Sequence, residues 1–119
     1  MQDEIVIIES PFKGRTPAEE AENIEYARKA MRDSIYRGEA PFASHLLYPQ
    51  MLDDADEYER RMGIEAGLRI GRLASRTVVY IDRGISSGME YGIKRAEDEG
   101  RPVEYRSLYG SDRRQNDKN

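Results

Sequence analysis

The chain has 119 residues, a formal net charge of −4, no cysteine and one histidine. This length fits one compact domain, the acidic balance argues against a general nucleic-acid-binding surface, and the lack of cysteine excludes disulfides and thiolate metal sites. No metal or cofactor is predicted, and no apolar run approaches the ~20 residues of a membrane span. The N-terminus lacks the basic region of a signal peptide, so we expect a cytoplasmic protein that binds neither nucleic acid nor membrane.

The first half of the chain predicts a strand, a long helix and an extended segment. Residues 4–9 (EIVIIE) are a nearly continuous β-branched run, which is typical of a strand buried on both faces in a parallel sheet. Residues 16–19 (TPAE) form a capping box with proline at the first helical position, which predicts a helix over residues 17–36. Residues 40–50 contain two prolines and predict a short strand near residues 41–44, followed by an irregular loop.

The second half predicts two further helices and two further strands. They are a helix over residues 54–74, a strand over 77–82, a helix over 87–99 and a strand over 103–106. This order predicts an α/β fold, a small doubly wound three-layer sandwich of flavodoxin or Rossmann type with a mainly parallel sheet. We expect one domain over residues 1–108 and a disordered polar tail over residues 109–119.

Three glycines repeat every four residues in the helix predicted over residues 54–74. They are Gly63, Gly67 and Gly71. Each costs roughly 1 kcal/mol relative to alanine in a helix interior, so something should require the small residues. Close packing of this helix on the sheet or on another subunit is one explanation, and close approach of a ligand is the other.

The segment TVVYIDRGISSGMEYG, residues 77–92, predicts a strand, a Gly/Ser turn and a helix start. In an open α/β sheet, ligands sit at such a junction because backbone N–H groups and the helix N-terminus face the crevice. Ser86, Ser87 and the N–H groups behind Gly88 are therefore candidates for binding a phosphate or hydroxyl, or else serve only the turn and the cap. Glu90 is either a functional carboxylate or the capping-box partner of Ser87.

Residues 88–92 (GMEYG) resemble the G-M-E-L-G or G-Y-E-L-G signature of the nucleoside 2-deoxyribosyltransferase superfamily, which includes deoxynucleoside 5′-monophosphate N-glycosidases. The resemblance extends over roughly residues 5–106 and implies that Glu90 is the catalytic nucleophile, within a ligand-binding motif that includes Met89. Residues 7–12 (IIESPF) resemble the first strand and loop of that family, so Ser10, Pro11 and Phe12 are implied to line a nucleoside pocket.

Further motifs are similar to those of small phage and bacterial members of the superfamily. They are NIEYAR at 23–28, PFASHL at 41–46, ERRMGI at 59–64 and GISSGM at 84–89. Arg28 is thus a candidate ligand contact, or a solvated surface residue. Two aspartates usual in the transferases fall at Gly84 and near residues 75–76, which are not acidic here.

The chemistry implied for Glu90 is attack on C1′ of a sugar as the bond to the base breaks, giving a glycosyl ester. The leaving base needs a proton, and the candidate donors are Asp82, if its pKa is raised, and His45. His45 could also stack on or hydrogen-bond to the ligand, or be only a packed residue.

The functional prediction is N-glycosidic cleavage or 2-deoxyribosyl transfer on a nucleoside or nucleotide. The alternative is a nucleotide-binding protein without catalysis, such as a phage protein that sequesters a nucleotide-derived immune signal. A structural role, with Glu90 as a mere cap, is the third reading. The resemblance also implies a homo-oligomer.

Overall fold

The computed structural model describes residues 4–110, so residues 111–119 of the predicted tail lie outside the described residues. Its sheet has four strands: β1 (Ile5–Glu9), β2 (Ala40–Phe42), β3 (Arg76–Tyr80) and β4 (Val103–Arg106). The spatial order is β2-β1-β3-β4 and every neighbouring pair is parallel. The predicted doubly wound α/β fold with a parallel sheet is therefore confirmed.

Four α-helices connect or flank these strands: α1 (Pro17–Tyr36), α2 (Ser44–Leu47), α3 (Glu57–Gly71) and α4 (Ser87–Asp98). Helix α1 begins where predicted because Thr16 Oγ1 accepts a hydrogen bond from the Glu19 N–H at 3.1 Å. Helix α3 begins later than predicted because Asp56 is its N-cap and accepts from the backbone at Tyr58.

The prediction of an irregular loop after β2 is wrong because part of this segment is helical. This segment forms the one-turn helix α2, which continues into a 3₁₀ turn at Tyr48–Gln50. Pro49 is tolerated there because it occupies the start of the 3₁₀ turn, where its missing N–H group breaks no helical hydrogen bond.

The sheet has two differently filled faces, because successive side chains of a strand point to opposite sides. On one face Val6, Ile8 and Val78 pack against Tyr26 and Ala30 of α1. On the other face Val79 packs against Met89 and Ile93 of α4, together with Val103. We call this second side the α4 face.

The chain direction across the sheet reverses between β1 and β3, since β2 lies on one side of β1 and β3 on the other. The carboxyl ends of these two strands therefore form a topological switch point, where open α/β sheets place their ligands. Within residues 4–110, no helix combines the length and hydropathy that crossing a bilayer requires.

Candidate functional site

A cavity of about 350 Å³ lies beside the α4 face of the sheet and reaches its carboxyl edge. Its walls come from β1 (Ile7, Glu9), the loop after β1 (Ser10, Phe12), α2 (Ser44, His45), α3 (Gly63, Gly67, Gly71) and the start of α4 (Ser87, Gly88, Met89), among others. This volume is within the range of small-molecule sites, which are mostly apolar with a few placed polar groups. In the described part of the chain, no group of three or more histidines or carboxylates is arranged to hold a metal ion.

Two of the three glycines of the α3 repeat lie where this helix packs closely on α2 and the 3₁₀ turn. A Cβ atom on Gly67 would lie 2.7 Å from Ser44 Cβ, and one on Gly63 would lie 3.3 Å from Tyr48 Cβ. All three glycines also line the cavity. The expected packing on the sheet is seen at Gly71, whose added Cβ would lie 3.7 Å from Ile7 Cγ1 of β1, whereas packing on another subunit and close approach of a ligand stay predictions.

Replacing Gly67 by alanine should lower the free energy of unfolding by about 1.5 kcal/mol, because the strain of overpacking exceeds the gain in helix propensity. The matched control is Gly88→Ala, where, apart from its chain neighbours and the backbone of α4, the described residues bring one atom within 4 Å of the added Cβ, Ser86 Oγ at 3.9 Å. We expect the control to change stability by less than about 0.5 kcal/mol. Urea unfolding of both variants measures the difference, and equal stabilities would contradict this account of the repeat.

Ser10 and His45 form a hydrogen-bonded pair in the cavity wall. Ser10 Oγ and His45 Nε2 lie 2.7 Å apart, and the pair joins the end of β1 to α2. Burial lowers the pKa of His45 to about 4. The imidazole is therefore neutral at pH 7 and offers one N–H donor and one acceptor, rather than a cationic acid.

Glu9, which the sequence reasoning did not single out, lies in the same wall. Burial raises the pKa of its carboxyl to about 8, although the Arg101 guanidinium acts in the opposite direction. The carboxyl is therefore mostly neutral at pH 7. The sequence signal that was available is a glutamate at the end of an otherwise apolar buried run.

Asp82 is not in the cavity wall and does not meet the condition set for a proton donor. Its carboxylate accepts hydrogen bonds from the Tyr26 hydroxyl at 2.6 Å and from the Leu108 N–H at 2.7 Å. Burial alone raises its pKa, but these bonds and one from Ser107 outweigh burial and lower the pKa to about 2. The condition of a raised pKa is thus not met, and Asp82 instead anchors the segment that follows β4.

Glu90 lies in the first turn of α4, but its side chain is exposed and is not part of the cavity wall. The predicted capping box of Ser87 and Glu90 is wrong. Ser86 is the N-cap, and its Oγ accepts from the Met89 N–H at 3.3 Å. The helix therefore begins one residue earlier than the predicted cap implies, because Ser86 has the extended backbone of an N-cap residue.

The structure brings many of the predicted ligand-binding residues together. The residues in the cavity wall are Ser10, Phe12, His45, Ser86, Ser87, Gly88 and Met89. Pro11 is buried beside this group without lining the cavity, and Arg28 is exposed on α1, where it pairs with Glu25 at 3.8 Å. Ligand binding by any of these residues stays a prediction.

Asp54 is a second wall residue that the sequence reasoning missed. Its Oδ2 atom is buried and has no hydrogen-bond donor within residues 4–110. The Lys13 ammonium lies 3.6 Å away from this oxygen and balances its charge. A buried oxygen that accepts no hydrogen bond is unusual in native structures and calls for a donor at this point of the cavity.

A family model described as "Domain of unknown function (DUF7768)" matches residues 4–106 of the chain. The search of curated proteins found no match to this chain. Among solved structures, the chain is similar to a 2-deoxyribosyltransferase from the psychrotolerant bacterium Bacillus psychrosaccharolyticus, with 19% sequence identity and a TM-score of 0.63. The match covers 87% of this chain and 72% of that one. At this identity the likeness shows a shared fold.

Proposed function

The chain belongs to the family described as Domain of unknown function (DUF7768), and we propose that it binds a nucleoside or nucleotide in the cavity at the carboxyl edge of its sheet. The observation that carries this proposal is the cavity itself, which reaches the switch point of the sheet and combines a mostly apolar wall with a few polar groups, among them Asp54 Oδ2, which accepts no hydrogen bond within residues 4–110. The fold shared with a protein named as a 2-deoxyribosyltransferase supports nucleosides as the ligand class.

The polar and aromatic groups of the wall suit the parts of a nucleoside. Asp54 Oδ2 lacks a donor, which a sugar hydroxyl would supply. Phe12 and Tyr48 offer ring surfaces to a planar base. Ser86, Ser87 and the N-terminal N–H groups of α4 suit a 5′-hydroxyl or 5′-phosphate.

Glycosidic cleavage or 2-deoxyribosyl transfer is the second candidate function. It is favoured by the fold shared with the transferase and by the position of Glu90, directly after the wall residue Met89. The Glu90 carboxylate would attack C1′ as the bond to the base breaks, with its electron pair passing to the base, which takes a proton from water. Water or a second base would then attack C1′, and the ester bond would break with its electron pair returning to the carboxylate. Because Glu90 is exposed, binding without turnover is placed first.

The test incubates the full chain with a panel of nucleosides, 5′-monophosphates and NAD-derived cyclic nucleotides, and scores both retained ligand and released base by chromatography. Variants are Glu90→Gln and, as a matched control, Glu97→Gln, which changes an exposed glutamate of the same helix. We expect retention of an intact compound by all three proteins, with dissociation constants within about twofold of each other, because neither residue lies in the cavity wall.

Base release by wild type and Glu97→Gln, lost at least about 100-fold in Glu90→Gln, would instead establish the glycosidic function with Glu90 as nucleophile. If none of the three proteins retains a compound or releases a base, the proposal is contradicted. The retained compound would also show whether a nucleotide-derived signal is sequestered. Size measurements on the same samples would test the predicted homo-oligomer.

A further inference from the structure

The carboxyl group of Glu9 occupies a space that a glycine leaves open. Glu9 ends β1, and its side chain points to the α4 face, since Ile8 before it packs on the opposite face. Helix α4 passes over it at Gly92. A Cβ atom at that position would overlap Glu9 Oε2 and lie 2.7 Å from the carboxyl carbon. Any larger residue at position 92 would displace the carboxyl from the cavity wall.

No hydrogen-bond partner for this carboxyl exists among residues 4–110. Arg101 is the cation that acts on this carboxyl, but its Nη1 donates to Glu99 Oε1 at 2.7 Å and its Nε to Thr77 Oγ1 at 3.1 Å. The hydrogen bonds of the adjacent Ser10 and His45 are made to each other. The half-buried carboxyl borders the cavity, so a ligand group there could pair with it.

A neutral carboxyl presents one O–H donor and one carbonyl acceptor side by side. This arrangement is complementary to a flat edge that carries an acceptor and an N–H donor on neighbouring atoms. The Watson–Crick or Hoogsteen edges of nucleobases are such edges, and a sugar hydroxyl or a phosphate is not. An ionised carboxylate has only acceptors and would lose half of this match.

We propose that Glu9 is the specificity residue of the cavity, which reads a nucleobase edge through two parallel hydrogen bonds while Gly92 leaves it room to do so. This inference rests on the proposed nucleoside-binding function and identifies the part of the ligand that enters deepest. It assigns Asp54 and the start of α4 to the sugar and the 5′ group.

Proton linkage gives the proposal a distinctive signature. The pKa of Glu9, about 8, means that the donor is present at pH 6–7 and is lost as pH rises through 8. Charged or titratable groups around the same cavity are His45, Tyr48, Glu59, Arg60, Tyr91 and Arg101, with Lys13 and Asp54 in the loops. His45, with a pKa of about 4, keeps its charge constant over the range from pH 6 to 9.

The experiment measures dissociation constants of 2′-deoxyadenosine, 2′-deoxycytidine, 2′-deoxyguanosine and thymidine by calorimetry from pH 6 to 9, using the full chain. For the tightest of these probes, wild-type affinity should be level below pH 7 and fall toward tenfold per pH unit above 8. Glu9→Gln keeps one donor and one acceptor, so it should bind at pH 7 within about threefold of wild type and show a level profile. Any titration of the probe itself appears in both proteins.

Glu9→Met keeps the volume and removes both hydrogen bonds, so affinity at pH 7 should fall at least about tenfold. Glu97→Gln, outside the cavity, is the control and should follow wild type at every pH. Wild-type binding with the same pH profile in Glu9→Gln, or undiminished binding by a folded Glu9→Met, would overturn the role of Glu9 and leave the proposed function standing. No binding of any probe by wild type would overturn both.

Discussion

Asp82→Asn is expected to lower the free energy of unfolding by about 2 kcal/mol, because the carboxylate is the common acceptor of a part-buried hydrogen-bond network. Its oxygens accept from the hydroxyl groups of Tyr26 and Ser107 and from the N–H groups of Leu108 and Tyr109. An asparagine amide replaces one acceptor oxygen by a donor, which would then face another donor. That mismatch should weaken the contacts that Asp82 makes between α1, the end of β3 and the segment after β4.

The matched control is Asp98→Asn, the same chemical change at an exposed residue that pairs with Lys94 at 3.3 Å and with no other residue of the described range 4–110. We expect it to change stability by less than about 0.5 kcal/mol. Urea unfolding at pH 7 measures both variants. Equal effects at the two positions would show that the network at Asp82 contributes little.

The Asp82 network also predicts the direction of acid sensitivity. Its folded pKa, about 2, lies below the ordinary value of 3.8, so the native carboxylate contributes stability above pH 3.8 that is lost as pH falls toward 2. In Asp82→Asn this acid-sensitive contribution is absent. The difference in stability between wild type and variant should therefore shrink as pH falls from 4 to 2.

Wild-type stability is expected to fall by about 2 kcal/mol between pH 6.5 and 8, and Glu9→Gln should remove this fall. The folded pKa of Glu9 is about 8 against an ordinary 4.5, so its contribution is fully present below pH 4.5 and is lost as pH rises through 8. His45 acts in the opposite direction between pH 4 and 6.5, because its folded pKa of about 4 lies below the ordinary 6.5. Above pH 6.5 the slope therefore belongs to Glu9.

Chemical unfolding at half-unit pH steps, in wild type and Glu9→Gln without ligand, measures this slope. The two curves should run parallel below pH 4.5 and diverge as pH rises, with wild type losing stability up to about pH 8. Wild-type stability that is constant from pH 6.5 to 8, or a fall of the same size in Glu9→Gln, would show that the carboxyl is already ionised at neutral pH.

Elements whose limits depend on local chemistry were predicted well from the sequence. Helix α1 spans Pro17–Tyr36 as predicted because Thr16, Pro17 and Glu19 supply a complete start signal, and β4 spans Val103–Arg106 between a proline turn and the polar tail. Helix α2 was missed because its four residues carry no helical signal of their own. In the fold, Ser44 of α2 packs against Gly67 of α3, and a contact between residues so distant in sequence is not visible in the sequence of α2.

The same distinction separates the predicted and the missed parts of the candidate site. The turn residues Ser86 to Met89 and the loop residues Ser10 and Phe12 follow strands, so their placement at the carboxyl edge was predictable. The environment of Glu9 depends on Gly92 in α4 and on Arg101 in the segment before β4. Both residues are distant from Glu9 in sequence and come close to it through tertiary packing. A neutral carboxyl in the cavity therefore could not be read from spacing alone.

The most direct test of the central claim maps the binding of the four 2′-deoxynucleosides onto the ¹⁵N-labelled full chain by NMR titration at pH 6.5. We expect saturable binding of at least one of them at one equivalent. The shift changes should cluster at Glu9, Ser10, His45 and the first turn of α4, the groups that line the cavity. Absence of saturable binding at millimolar concentration, or shift changes confined to surfaces away from these residues, would contradict it.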